Sequence, residues 1–260
     1  MHQNLYRAIN AACCHISVLL DNELISEGSG FAFLNTGQVI TAAHVVTGRT
    51  PIIESDFRDP GQRIFCKFPG RAQHEYYVNT CGLDIRVPGF SKPLQVDIAT
   101  LQPKQAASDL PFLVVNTNPP QLGEIVFAAG YSDELSAPFQ LDELIAGGTD
   151  ALNEVTQSGY TGYLTDLGGP IIKRGVIGHL VRGQANLGNK EVHIELFYID
   201  NSIHSGASGG PICNAHGEAV GVITRRAVTS ASQEAAPNIV VPSGCTIGIG
   251  LQPLRVWADT

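Results

Sequence analysis

The sequence predicts an all-β protein built as two six-stranded antiparallel β-barrels, with a short helical insertion and a C-terminal helix. Glycine (28) and proline (15) are spread along the whole chain and punctuate short apolar runs, the pattern of many short strands joined by tight turns. Hydrophobic residues make up 43% and charged residues 15% of the 260 positions, a balance that buries a sizeable core and argues against disorder. The strand signals fall into two series, separated by a stretch containing Pro119 and Pro120. Residues 1–102 therefore read as the N-terminal barrel, 103–122 as a connecting segment and 123–260 as the C-terminal barrel, with no internal repeat at a fixed period.

In chain order, residues 5–12 read as a short helix and 15–20 as a strand. Gly28, Ser29 and Gly30 lead into a strand over 31–34, and Asn35-Thr36-Gly37 forms a hairpin turn with glycine where φ is positive. Residues 38–41 return, and 42–46 follow as a compact turn. Further strands fit 51–55, 63–68, 76–79 and 98–102, with Pro60-Gly61 and Pro69-Gly70 marking turns. The second series covers 124–128, 176–182, 191–200, 210–213, 219–224 and 246–250. The stretch 132–157 reads as an insertion holding a short helix, and 253–260 as a terminal helix with Trp257 packed inward.

The net charge is −8 and the pI about 5.4, so bulk attraction to a nucleic-acid backbone is excluded as a first expectation. No Lys or Arg occurs from Gln105 to Ile172, whereas Asp109, Glu124, Asp133, Glu134, Asp142, Glu143, Asp150, Glu154 and Asp166 do. This acidic 105–172 surface reads as a solvated face or as a docking surface for a basic partner. The first twenty residues lack the basic start and small-residue cleavage site of a secretory signal. No apolar run reaches the roughly 18 residues that cross a bilayer, so the expectation is a cytoplasmic protein without membrane contact. Cys13, Cys14, Cys66, Cys81, Cys213 and Cys245 show no metal-ligand spacing and read as buried free thiols, with a Cys66–Cys81 bridge across a hairpin as the alternative.

Three local patterns carry chemistry. In Ser205-Gly206-Ala207-Ser208-Gly209-Gly210-Pro211, a hydroxyl has glycines close on both sides. A sharp turn of that kind exposes Oγ to a carbonyl carbon and aligns nearby N–H groups, those of Gly206 and Ser208, toward the oxyanion that forms. Taken alone the stretch is also an ordinary glycine-rich turn. His44 follows the strand residue Thr41 across two alanines; a lone histidine there is commonly structural. Asp97 lies between Val96 and Ile98, and an acid in such a place is costly to bury unless something bonds it. Together the order His, Asp, Ser matches the base, orienter and nucleophile of one hydrolase template. Gly206-Ala207-Ser208-Gly209-Gly210 also fits the esterase pattern G-x-S-x-G, but a strand follows it and His44 lies upstream, contrary to that elbow.

Gly28-Ser29-Gly30-Phe31, Thr41-Ala42-Ala43-His44, Asp97-Ile98-Ala99 and Gly206-Ala207-Ser208-Gly209-Gly210-Pro211 resemble the motifs of the trypsin-like, chymotrypsin-clan serine peptidases. The stretches 198–203 and 217–223 resemble the HtrA/Deg branch, here without the PDZ domain that usually follows. The resemblance implies a chymotrypsin-like double barrel that hydrolyses peptide bonds in polypeptide substrates through an acyl-enzyme, with no metal and no organic cofactor. His44, Asp97 and Ser208 would form the catalytic triad, and Gly206 and Ser208 the oxyanion hole. Ser202 matches the pocket floor, so no acid waits for Lys or Arg; Ile203 stands beside it, and Thr224, Arg225 and Arg226 match the strand edge that pairs with substrate. Arg226 and His204 are candidates for drawing acidic substrate side chains. Two departures stand out: Val45 replaces the cysteine that follows the histidine in secreted digestive relatives, and Ala207 replaces their aspartate before the serine. Activation by an ion pair to a newly cut N-terminus is thereby excluded. The contrasting reading is a catalytically silent module of this fold that binds peptides or partner proteins by edge pairing.

Overall fold

The computed structural model describes residues 2–85, 91, 93–106, 109–132, 169–187, 190–233 and 236–255. Helix α1 (Gln3–Ala12) opens the chain; it buries Ile9 and Ala12, and the rings of His2 and Tyr6 lie 5.3 and 5.7 Å from that of Phe127. Six strands follow: β1 (Cys13–Leu20), β2 (Glu23–Ala32), β3 (Val39–Thr41), β4 (Gln62–Lys67), β5 (His74–Ile85) and β6 (Leu94–Pro103). They close as a barrel in the order β1-β2-β3-β6-β5-β4, all neighbours antiparallel. Helices α2 (Ala43–Thr47) and α3 (Glu54–Phe57) stand between β3 and β4.

The second barrel comprises β7 (Ile125–Gly130), β8 (Ile171–Leu187), β9 (Lys190–Ile199), β10 (Pro211–Asn214), β11 (Ala219–Gln233) and β12 (Ala236–Gly250). Its ring, β10-β11-β12-β9-β8-β7, has the same sequential pattern as the first when read from β7. Two six-stranded rings without sequence repetition are what the sequence predicts. Closure removes free edges within each ring, and each ring fills with apolar side chains: Ile16, Phe31, Ile40, Ile64 and Ile98 in the first, Val126, Phe197, Ile212 and Val220 in the second. The segment between the rings is stitched to both. Leu113 N–H donates to Ala32 O (2.9 Å) and Asn116 N–H to Ala219 O (2.8 Å).

Several elements differ from expectation. The stretch 51–55 is no strand. Barrel closure by β1–β4 pairing leaves it no ladder partner; the Gln95 side chain instead takes both backbone groups of Ile52 at 2.9 Å, and α3 forms with an Arg58–Glu54 ion pair one turn apart. β2 begins at Glu23 rather than after Gly30, because the glycines are places of close approach inside the strand. A Cβ on Gly28 would lie 2.7 Å from Val45 and one on Gly30 2.7 Å from Ile16. The β1–β2 turn is Asp21-Asn22, both at positive φ (51° and 68°), as a two-residue hairpin of this twist requires. The compact turn at 42–46 is helical as α2, and β8, β11 and β12 run far past their expected ends. All six cysteines are free thiols. The insertion at 132–157, apart from Ser132, and Trp257 lie outside the described residues, as does most of the acidic 105–172 stretch. Among the described residues no helix is long and apolar enough to cross a membrane.

Candidate active site

His44 is the second residue of α2, immediately beyond β3. The first N–H groups of a helix have no intrahelical acceptor, and here Asp97 supplies one. Asp97 Oδ1 accepts from the His44 N–H (2.9 Å), and Oδ2 lies 2.7 Å from His44 Nδ1. Asp97 sits on β6 between buried Val96 and Ile98 and is itself 8% exposed. A carboxylate so placed is tolerable only when its oxygens are bonded, and a further donor comes from the other barrel: the Thr224 hydroxyl of β11 hydrogen-bonds Oδ2. An ionised carboxylate only accepts, so the ring proton resides on Nδ1 and Nε2 keeps its lone pair.

Ser208 lies in the turn before β10. Gly206 and Gly209 flank it with φ of 84° and 86°, a region costly for any side chain. Gly209 also lies hard against the first barrel: a Cβ there would fall 2.1 Å from Ser29 O, 2.2 Å from Thr41 Oγ1 and 2.9 Å from Ala42 N. The serine turn is thus pressed onto the β3–α2 junction that carries His44. Ser29 binds it there. Its N–H donates to Ser208 O (2.7 Å), its hydroxyl to Gly206 O (2.9 Å), and the same hydroxyl accepts from Tyr131 N–H (2.8 Å). From behind, Gly209 N–H donates to Ile223 O (2.7 Å). His44 and Ser208 form no side-chain hydrogen bond in this structure. Among the described residues the Ser208 hydroxyl and the N–H groups of Gly206 and Ser208 have no hydrogen-bond partner.

Cys81 is the other potential nucleophile nearby, its Sγ 3.9 Å from Ala43 O. Burial, then the charges of Asp97 and Asp56, push its thiol up to about 12, so it stays protonated and unreactive at neutral pH.

The residues expected to meet substrate divide. Ser202 is half-buried, with its carbonyl held by Lys173 Nζ at 2.6 Å. Ile203 is 3% exposed and packs into the second core, its N–H bonded to Thr246 Oγ1 at 2.9 Å. Arg225 is exposed and Arg226 half-buried, both on β11 opposite Ile247 and Thr246. Thr224 is 6% exposed and turned to Asp97. Sequence reasoning missed that role, the anchoring hydroxyl of Ser29, and buried Thr246, which donates to Asn201 O at 2.6 Å and so fixes the loop of Ser202. A hydroxyl set between Gly28 and Gly30 was the one available signal for Ser29.

A family model described as "Trypsin-like peptidase domain" matches residues 28–222. Among curated proteins, the putative serine protease HhoA of Synechocystis sp. is 26% identical over 204 residues, which is 78% of this chain and 38% of that protein. The mitochondrial serine protease HTRA2 of Bos taurus is 27% identical over 215 residues, 82% of this chain and 34% of the relative. The chain thus spans little more than a third of the length of these relatives. Among solved structures, the HtrA-type protease AlgW with tripeptide superposes with a TM-score of 0.59 at 15% identity, over 100% of this chain and 63% of that one. The Rv3671c protease from M. tuberculosis in its active form gives 0.52 at 18% identity, over 98% and 81%. These structural likenesses bear on the fold alone.

Proposed function

The chain belongs to the trypsin-like peptidase family, with relatives in its HtrA branch, and we propose that it is a serine endopeptidase working through Ser208, His44 and Asp97. One observation carries the proposal: a histidine whose Nδ1 is held 2.7 Å from a buried carboxylate, itself bonded from the opposite barrel by Thr224, on the β3–α2 junction against which the glycine-flanked serine turn is pressed. A binding module needs no such base and orienter.

In the proposed reaction, Ser208 Oγ attacks the scissile carbonyl carbon while His44 Nε2 takes its proton. The N–H groups of Gly206 and Ser208 receive the developing oxyanion. Collapse of the tetrahedral intermediate breaks the C–N bond, and the imidazolium returns the proton to the leaving amine. Water, deprotonated by His44, then hydrolyses the acyl-enzyme. Asp97 holds the tautomer and stabilises the imidazolium. Ala207 is buried where an aspartate would be needed for zymogen-type activation, so the enzyme works without that ion pair. Ser202 gives the pocket no charge against Lys or Arg, and Arg226 with His204 favours acidic side chains at or near the pocket. Full loss of discrimination toward Asp and Glu across a peptide library would remove that last assignment.

The second reading, a silent peptide-binding module, is favoured by the missing His44–Ser208 hydrogen bond. Apo sites commonly close such contacts only on substrate binding. Digestion of denatured casein decides between the two. Wild type should cut it and Ser208→Ala should not. Absence of cleavage by wild type at any pH between 6 and 9 would leave the silent module standing.

A further inference from the structure

The register of β5 against β6 slips between Val78 and Thr80: Val78 pairs with Leu101, Thr80 with Thr100, and Asn79 is the extra residue. A bulge of this kind re-aims side chains, and here two of them reach one neighbour. Asn79 Nδ2 donates to Thr100 Oγ1 (3.3 Å), and the hydroxyls of Thr80 and Thr100 lie 2.7 Å apart. Beside the bulge lies a cavity of about 340 Å³, a size that suits a small ligand. Thr100, 7% exposed, is its most buried lining residue. The rest of the lining includes Phe33 of the first barrel, Val115 and Thr117 of the segment between the barrels, and Leu254 and Arg255. Val115 is fixed by its bridge to Ala219. Leu254 and Arg255 are fixed by a turn, their N–H groups donating to Leu251 O (3.1 Å) and Gln252 O (3.0 Å). Three separate stretches of chain thus meet around one space.

We propose that this cavity binds a small amphiphilic monocarboxylate, an apolar body of about eight carbons carrying one carboxylate. The site is independent of the peptidase reading, since none of its residues belongs to the Ser208, His44 and Asp97 constellation. The polar atoms of Asn79, Thr80 and Thr100 already bond one another, so they require nothing of a ligand. Phe33, Val115 and Leu254 favour an apolar one. At roughly 30 Å³ per non-hydrogen atom, the share of a water molecule in the liquid, the space holds about eleven atoms, close to the size of octanoate. Charge selects the head group. Arg255 is the one charged residue in the lining, in a chain of net charge −8. Among the described residues no carboxylate pairs with it. Its Nε donates to Thr117 Oγ1 and one Nη to Asn118 Oδ1 (3.3 Å). A guanidinium carries five N–H donors, so two hold the group in place and three remain for an anion. A planar fork already fixed by neutral acceptors loses little freedom on taking a carboxylate through two parallel bonds. Arg255 is exposed and Thr100 buried, so the carboxylate lies at the mouth and the apolar end points toward Thr100.

Isothermal titration calorimetry of the full chain with octanoate at neutral pH tests the assignment, with 1-octanol, octylamine and acetate as comparisons. The methyl NMR signals of Val115 and Leu254 report location. Octanoate should bind at one site per chain and shift both signals. Octanol should bind about tenfold more weakly, for want of the charge-assisted bonds, and octylamine and acetate should not bind. Arg255→Gln should lower octanoate to the affinity of octanol and leave octanol unchanged, and Arg255→Lys should keep part of the gain. The comparison of octanoate with octanol on the unaltered chain needs no variant to fold. Equal affinity for octanoate and octanol overturns the site, as does octanoate binding that is indifferent to Arg255→Gln. So does binding that leaves Val115 and Leu254 unmoved, or no octanoate binding at millimolar concentration. Displacement of octanoate by a lower concentration of the tripeptide Ala-Val-Leu would give the cavity to polypeptide C-termini and overturn the small acid as occupant. No readout involves cleavage, so failure of the peptidase reading would leave these outcomes unaffected.

Discussion

A buried carboxylate is quiet only while its oxygens are occupied, and Asp97 is occupied from three sides: the His44 backbone, the His44 ring and the Thr224 hydroxyl. Removing the last should weaken the hold on the imidazolium without touching the substrate pocket. Thr224→Val is expected to lower kcat about tenfold with KM nearly unchanged, since a hydrogen bond to a charged group contributes about 1.5–3 kcal/mol; Thr224→Ser should restore most of it. Asp97→Asn should cost several powers of ten through loss of tautomer control. Ser29→Ala strips the Gly206 carbonyl and the Tyr131 N–H of their partner and should likewise act on kcat more than KM, in steady-state kinetics on one peptide. The contact of His44 with Asp97 was legible because each stands in a short motif of small or apolar neighbours. Thr224 and Ser29 were not, because a hydroxyl's partner is set by which strands the barrels bring together, and a single threonine or serine carries no mark of that.

At the scale of elements, β9 carries a second buried acid with a different character. Glu195 is 4% exposed, and its Oε2 has no hydrogen-bond partner among the described residues. Burial raises its pKa, partly offset by His193 and Arg182. The folded chain therefore holds this proton more tightly than the unfolded chain does. Its contribution to stability is complete below the ordinary carboxyl range and fades as pH rises through the raised value. Glu195→Gln should raise Tm at pH 8 and give no gain at pH 4, as measured by differential scanning calorimetry. Strand existence was readable from alternation and turn residues; strand length was not. β11 and β12 outrun their expected bounds because residues 228–233 and 236–242 pair with each other across the two strands, and such pairing alone leaves no apolar period behind. The stretch 51–55 failed for the opposite reason: its apolar residues suit a strand, but the closed ring offers no edge to join.

For the whole molecule, the decisive feature is the seam. The first barrel presents His44 and Asp97, the second Ser208 and Thr224, and glycines let the two press together. Gly209→Ala would place a Cβ 2.1 Å from Ser29 O at a φ of 86°, so it should cost both stability and all turnover, seen as a lowered Tm and no casein cleavage. The pairing of the halves was legible as a motif order, whereas its intimacy depends on backbone approach that no spacing encodes. The most direct measurement is the rate at which a fluorophosphonate modifies the chain, with the labelled residue identified by peptide mass spectrometry. Ser208 should carry the label, and His44→Ala should slow labelling by about a thousandfold or more. Labelling of Ser208 at the same rate without His44, or none at all in the folded wild-type chain, would contradict a serine activated across the seam.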